Sequence, residues 1–123
     1  MIKPIIHKYA SKLLDPAVPV TDEDVQLILS GIGFTDQERA LIRLREMCNT
    51  DRIREELTHI LPTLFQALSD AATPDGSLIN FERFMNSVSQ PETMLGFLTQ
   101  NPRAVEILVR LFVGSQFLTE ILL

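Results

Sequence analysis

A single cysteine, Cys48, rules out an internal disulfide, so this chain must hold itself together without covalent staples. No apolar run approaches the roughly 20 residues of a membrane-spanning helix, and the opening MIKPIIHKYASKLL has no long apolar stretch followed by a small-residue cleavage site. A basic excess is also missing. Eleven Lys and Arg stand against sixteen Asp and Glu, for a net charge of −5, which argues against a nucleic acid partner and against an anionic membrane surface. These absences together predict a soluble cytoplasmic protein. No stretch alternates apolar and polar residues with period two over the length of a strand, which excludes a sheet as the organising element. The five glycines form neither GxGxxG nor GxxxxGK[ST], so no phosphate-cradling loop is written here.

Helical periodicity fills the chain instead, and 46% hydrophobic residues in 123 suffice for one core. Pro4 opens a first segment carrying Ile6, Tyr9, Ala10, Leu13 and Leu14, which Asp15-Pro16 and Pro19 stop. Thr21 is placed to cap a second, with Val25, Ile28 and Leu29, ended by Gly31 and Gly33. Thr35 and Glu38 form a capping-box pattern ahead of Ala40, Leu41, Leu44, Met47 and Cys48. From Asp51 a stripe of Ile53, Leu57, Ile60, Leu61, Leu64, Phe65 and Leu68 keeps its phase across Pro62, predicting a kink or two abutting helices. Thr73-Pro74 leads into Leu78, Phe81, Phe84, Met85 and Val88, and a Ser89/Glu92 box into Met94, Leu95, Phe97 and Leu98.

The run from Asn101 to Gly114 has a cap at each end and only Arg103, Glu106 and Arg110 as polar interruptions. Being apolar almost all round, it is expected to be covered on several sides and to organise the fold, so that loss of the Leu108 or Leu111 side chain would cost about 2–5 kcal/mol. Ser115 can cap a last helix with Phe117, Leu118, Ile121 and Leu122. That helix needs a cover, whether from this domain, from a second copy in a homo-oligomer, or from a downstream domain. The fold expected is all-α, seven to eight short helices in an irregular bundle or stacked pairs, forming a single helical domain over 1–123. A faint echo of ERALIRLREMC in DGSLINFERFM sets Leu41 over Leu78 and Ile42 over Ile79. Ending inside FLTEILL, the sequence reads as an N-terminal fragment of a larger multidomain enzyme.

Residues with chemical potential are few. Asp22-Glu23-Asp24 could suggest Mg²⁺, but acids just after a cap favour the helix dipole. Cys48 on an apolar helical face reads as core, although His59 could be drawn as its base. His7 and His59 stand far apart with no HExxH, which leaves a zinc site unsupported. Asp75-Gly76 lacks the alternating acids of a calcium loop and reads as a helix entry. Arg39, Arg43, Arg45, Arg52 and Arg54 are interleaved with Asp36, Glu38, Glu46, Asp51, Glu55 and Glu56, the pattern of a solvated mixed-charge face. Phe81, Phe84, Phe97, Phe112 and Phe117 sit at core spacings and read as packing. No catalytic, cofactor-binding or metal-binding residue emerges.

The block Asn80-Phe81-Glu82-Arg83-Phe84, the Asn101-Pro102 helix start and its leucine-rich continuation, and Gly114-Ser115-Gln116-Phe117-Leu118 resemble the helical segment ahead of a nucleotidyltransferase domain in glutamine synthetase adenylyltransferases. Gly33-Phe34 and the Ala40-Leu41 helix fit more loosely, so the resemblance covers about residues 33 to 123. It implies a parent enzyme of nitrogen regulation that transfers AMP to a glutamine synthetase tyrosine and removes it by phosphorolysis, using ATP and magnesium and responding to a PII protein. The glycine-rich turn and Asp-x-Asp of that catalytic domain are absent, and Asp22 and Asp24 precede the resembling helices, so no catalytic residue carries over. The chain is therefore expected to be inactive alone, supporting or regulating a downstream catalytic domain with glutamine synthetase or PII as candidate partners. A free-standing helical protein-interaction scaffold is the alternative.

Overall fold

The computed structural model describes residues 10–111, and within them the chain is all helical, with no strand. Seven helices follow one another: α1 (10–14), α2 (Glu23–Ile32), α3 (Gln37–Glu46), α4 (Asp51–Ser69), α5 (Pro74–Ser87), α6 (Pro91–Gln100) and α7 (102–111). The central element is α4, which packs most extensively against α6 and also meets α2 and α5, while α3 lies against α2 and α5. Its 19 residues span about 28 Å at 1.5 Å per residue. Ile53, Leu57, Ile60, Leu61, Leu64, Phe65 and Leu68 are all at most 5% exposed, so the stripe legible in the sequence is the spine of the core. Each such side chain contributes about 1.5–3 kcal/mol on burial. Phe65 meets Phe34, from the α2–α3 connection, edge to face with centroids 6.3 Å apart.

This placement corrects the expectation that the Asn101 helix organises the fold. On α7, Val105 and Val109 are buried, but Ile107 is 49% and Leu111 60% exposed, and Ala104 and Leu108 are only partly covered. The helix lies at the periphery and offers one narrow face to the core. The expected burial of Phe97 is corrected likewise, since it is 54% exposed on α6 while Leu95 and Leu98 on either side are 1% exposed. Phe81 is fully buried and Phe84 packs against the core's margin. Gly114, Ser115, Phe112, Phe117, Leu118, Ile121, Leu122 and the first-helix residues Pro4, Ile6, His7 and Tyr9 lie outside the described residues.

Pro62 is buried inside an uninterrupted α4, so the two-helix alternative does not occur. Of the two glycines expected to end α2, Gly33 does so, in the left-handed region at φ 99°, while Gly31 stays inside the helix. Three caps fall one residue later than expected. Asp22, not Thr21, caps α2 by accepting the Asp24 and Val25 amides at 3.0 and 3.1 Å. Asp36, not Thr35, caps α3 by accepting the Arg39 amide at 3.0 Å. Gln90, not Ser89, occupies the N-cap of α6, without a side-chain cap bond, so the Ser89/Glu92 box does not form. α4 opens on Thr50, whose hydroxyl accepts the Ile53 amide at 3.1 Å. At the α6–α7 junction Asn101 ends one helix and starts the next, its side-chain amide donating to the Phe97 carbonyl at 2.9 Å. The echoing segments become α3 and α5, which pack together with Leu41 and Leu78 both buried.

Candidate functional site

The charged residues singled out in the sequence do not converge. Several are drawn to separate joints between helices, and others face outward. Asp22 and Asp24 flank the start of α2, where the Lys12 ammonium from α1 reaches both, at 2.9 Å and 3.0 Å. The Lys12 hydrogen bond holds the Asp22 carboxyl below the usual carboxylate range, partial burial opposes it, and the Val25 amide adds to it. The same two acids raise Lys12 above the usual lysine range. One Asp22 oxygen is spent on the helix cap and the other on Lys12. The acidic triplet is thus a helix start clamped to α1.

The arginine set divides in the same way. Arg43 of α3 pairs with Glu82 of α5 at 3.0 Å, with both side chains mostly covered. Arg45, one residue past the apolar face, sends Nε back to the Leu13 carbonyl at 2.9 Å and so satisfies the C-terminal end of α1. Burial pulls its guanidinium below the usual arginine range, against the pull of Asp15, and its Nη2 is buried with no hydrogen-bond partner. Arg54 reaches Asp51 at 3.7 Å and also contacts the Cys48 thiol. Arg39 and Arg52 point outward. Two of the five arginines therefore join helices across the fold, which the sequence reading of a uniformly solvated face did not anticipate. The missed signal was position: Arg43 and Arg45 flank the buried Leu44, so both side chains lie partly covered at the margin of the core.

Cys48 is half-buried and donates weakly to the Leu44 carbonyl at 3.6 Å. Burial pushes its thiol up, outweighing Arg54, so the nucleophilic thiolate is disfavoured. His59 is exposed on α4. Asp75, at the entry of α5, accepts the backbone amides of Thr35 and Asp36 at 2.8 and 3.1 Å, tying the turn before α3 to a residue some forty positions away. Among the described residues no group of three or more His, Cys, Asp or Glu could hold a metal ion, and no helix is long and apolar enough to cross a membrane.

Cavities open between the described helices. One of about 30 Å³ lies between Met47, Ile53, Leu57, Met85 and Leu95, far below the roughly 300 Å³ at which ligand pockets begin. A larger cleft of about 360 Å³ opens between the end of α4 and α7, but alanines and the charged Asp70, Glu106 and Arg110 line it, without a buried polar group aimed inward. Neither holds a nucleophile, a general base and an anion-stabilising donor in one place.

Similarity to known proteins gives this architecture a context. No protein-family model matches the chain, and no solved structure matches it. Among curated proteins it is similar to the bifunctional glutamine synthetase adenylyltransferase/adenylyl-removing enzyme of Leifsonia xyli subsp. xyli, with 32% identity over 104 residues, covering 84% of this chain and 10% of the relative. The enzymes of the same name from Thioalkalivibrio sulfidiphilus, 28% identical over 107 residues, and Corynebacterium efficiens, 24% identical over 122, cover 81% and 98% of this chain. The chain spans about a tenth of the length of these relatives, 10% to 12%. It is, over most of its length, a glutamine synthetase adenylyltransferase-like helical segment.

Proposed function

We propose that the chain acts as a non-catalytic helical segment of an adenylyltransferase-like protein, supporting or regulating a nucleotidyltransferase domain. The observation that carries this reading is the similarity of 84% of the chain to one tenth of an adenylyltransferase. The geometry supports it. Asp22, Asp24, Arg43, Arg45 and Asp75, the polar groups best placed for chemistry, are committed to caps and interhelical bonds. Adenylyl transfer demands a phosphate cradle and carboxylates free to hold Mg²⁺, and these residues are already spent. Glutamine synthetase and a PII protein are the partners such a parent would meet. The apolar side chains on α7, Ile107 and Leu111, supply a face for a neighbouring domain.

The test is reconstitution. Incubated with ATP, Mg²⁺ and glutamine synthetase, the purified chain should form no AMP-modified product. Added to a separately expressed nucleotidyltransferase half of a relative, it should bind that half and change its rate. AMP transfer by the chain alone sinks the non-catalytic reading, and failure of the two pieces to associate at high micromolar concentration sinks the supporting role.

A further inference from the structure

Two of the four methionines, Met47 at the end of α3 and Met85 on α5, stand far apart in the chain yet line one cavity. Leu57 of α4 and Leu95 of α6, each 1% exposed, line it as well, so it sits where four helices converge. Asn49 and Asn86 also line it and are exposed, so the cavity reaches the surface beside two asparagines. A wholly apolar void stays dry, whereas the donors and acceptors of asparagine give a small polar molecule something to bind on the way in.

Size restricts what can enter. The cavity measures about 30 Å³, and a water molecule needs roughly 10–15 Å³ of such space. Hydrogen peroxide, which is water with one more oxygen, therefore fits where an ordinary ligand does not. Met47 and Met85 are each only 7% exposed, so the cavity and not the outer surface is their route to an oxidant. The reaction needs nothing further from the protein. A thioether lone pair attacks one peroxide oxygen, and the O–O bond breaks as the S–O bond forms. The proton on the transferred oxygen passes to the departing hydroxide, which leaves as water; sulfur gives up two electrons and peroxide takes them. The sulfoxide is polar and chiral, and beside Leu57 and Leu95 it disrupts the packing that a flexible apolar side chain supplied.

We propose that Met47 and Met85 form a peroxide-oxidation site of the native protein, and that sulfoxide there loosens the joint where α3, α4, α5 and α6 meet. This is independent of the adenylyltransferase reading, since it concerns the chain's own core and survives if that reading fails. The test exposes the full chain to excess hydrogen peroxide with free methionine in the same solution, and peptide mass spectrometry reads the added oxygen at each residue. Met47 or Met85 should react less than about a thousandfold more slowly than free methionine, a penalty that oxidation reached only through global unfolding would meet or exceed. The rate should also stay flat in urea below the unfolding transition. Urea denaturation of the oxidised protein should show a midpoint lower by about 1 M. Met47→Leu/Met85→Leu, a pair of volume-conserving changes that keeps Cys48 and Met94, should resist that drop. A slower reaction, or one that climbs steeply with low urea, overturns the proposal, and this arm decides on the natural chain even if the double variant fails to fold. An unchanged midpoint after oxidation also overturns it, as does an equal drop in the double variant.

Discussion

Asp22 shows how one side chain settles a helix boundary. Thr21 and Asp22 both have a suitable oxygen for the α2 N-cap, and the carboxylate wins because aspartate is the better cap and because Lys12 lies within reach of its second oxygen. The same competition gives α3 its cap at Asp36 in place of Thr35. The pH behaviour follows from the direction of each shift. Asp22 lies below its ordinary range, so its contribution is present above the unfolded carboxylate value and is lost as pH falls through the folded one. Lys12 lies above its ordinary range, so its contribution is complete below the unfolded lysine value and fades as pH rises through the folded one. The clamp is therefore at full strength around neutrality. Asp22→Asn should be less stable than wild type at neutral pH, and that gap should close as pH drops through the region below roughly 4. Urea midpoints measured at both pH values check this, and a gap that persists in acid would show that Asp22 acts through packing alone.

Among the elements, α4 and α7 make the sharpest contrast. Leu64 on α4 is fully buried and Leu111 on α7 is 60% exposed. Leu64→Ala should cost about 2–5 kcal/mol, whereas Leu111→Ala should stay within about 0.5. Equal losses in urea denaturation would return α7 to the centre of the core. This is also where the sequence was hardest to read. The α4 stripe was legible because its apolar residues keep one phase over nineteen positions, and Pro62 did not interrupt it. The apolar character of α7 was equally plain, but composition tells how much surface needs cover and not whether cover is present. Among the described residues, helix starts were legible to within a residue. Thr73-Pro74 and Asn101-Pro102 were located correctly because a proline at the first helical position fixes the residue before it as the cap. The same rule applied at Pro91 points to Gln90, and the competing Ser89/Glu92 pattern obscured it. The charged residues were legible as a set and not as partners, because an ion pair such as Arg43 with Glu82 depends on a tertiary contact that spacing does not encode.

Across the whole described molecule, a few polar ties fix how the helices sit around α4. Lys12 and Arg45 fasten α1 to α2 and α3, Arg43 joins α3 to α5, and Asp75 joins the α5 entry to the turn before α3. Hydrophobic contact is non-directional, so the apolar stripe alone allows helices to slide, whereas a carboxylate bonded to two successive amides defines one register. Asp75 is the strongest test of that idea, because its bonds span 39 and 40 positions of sequence. Asp75→Asn keeps the shape but replaces one acceptor oxygen with an NH₂ group facing an amide N–H, so it should lose nearly as much as Asp75→Ala. Hydrogen bonds to a charged acceptor are worth about 1.5–3 kcal/mol each where buried, and solvent access at this joint reduces the pair to about 1 kcal/mol in all. Local readout separates this tie from general weakening. In either variant the Thr35 and Asp36 amides should exchange with solvent markedly faster, while the amides of α4 slow or quicken only by the change in global stability. If Thr35 and Asp36 keep wild-type protection when Asp75 has lost its carboxylate, the joint between α3 and α5 is held by Leu41 and Leu78 packing, and the polar tie is incidental.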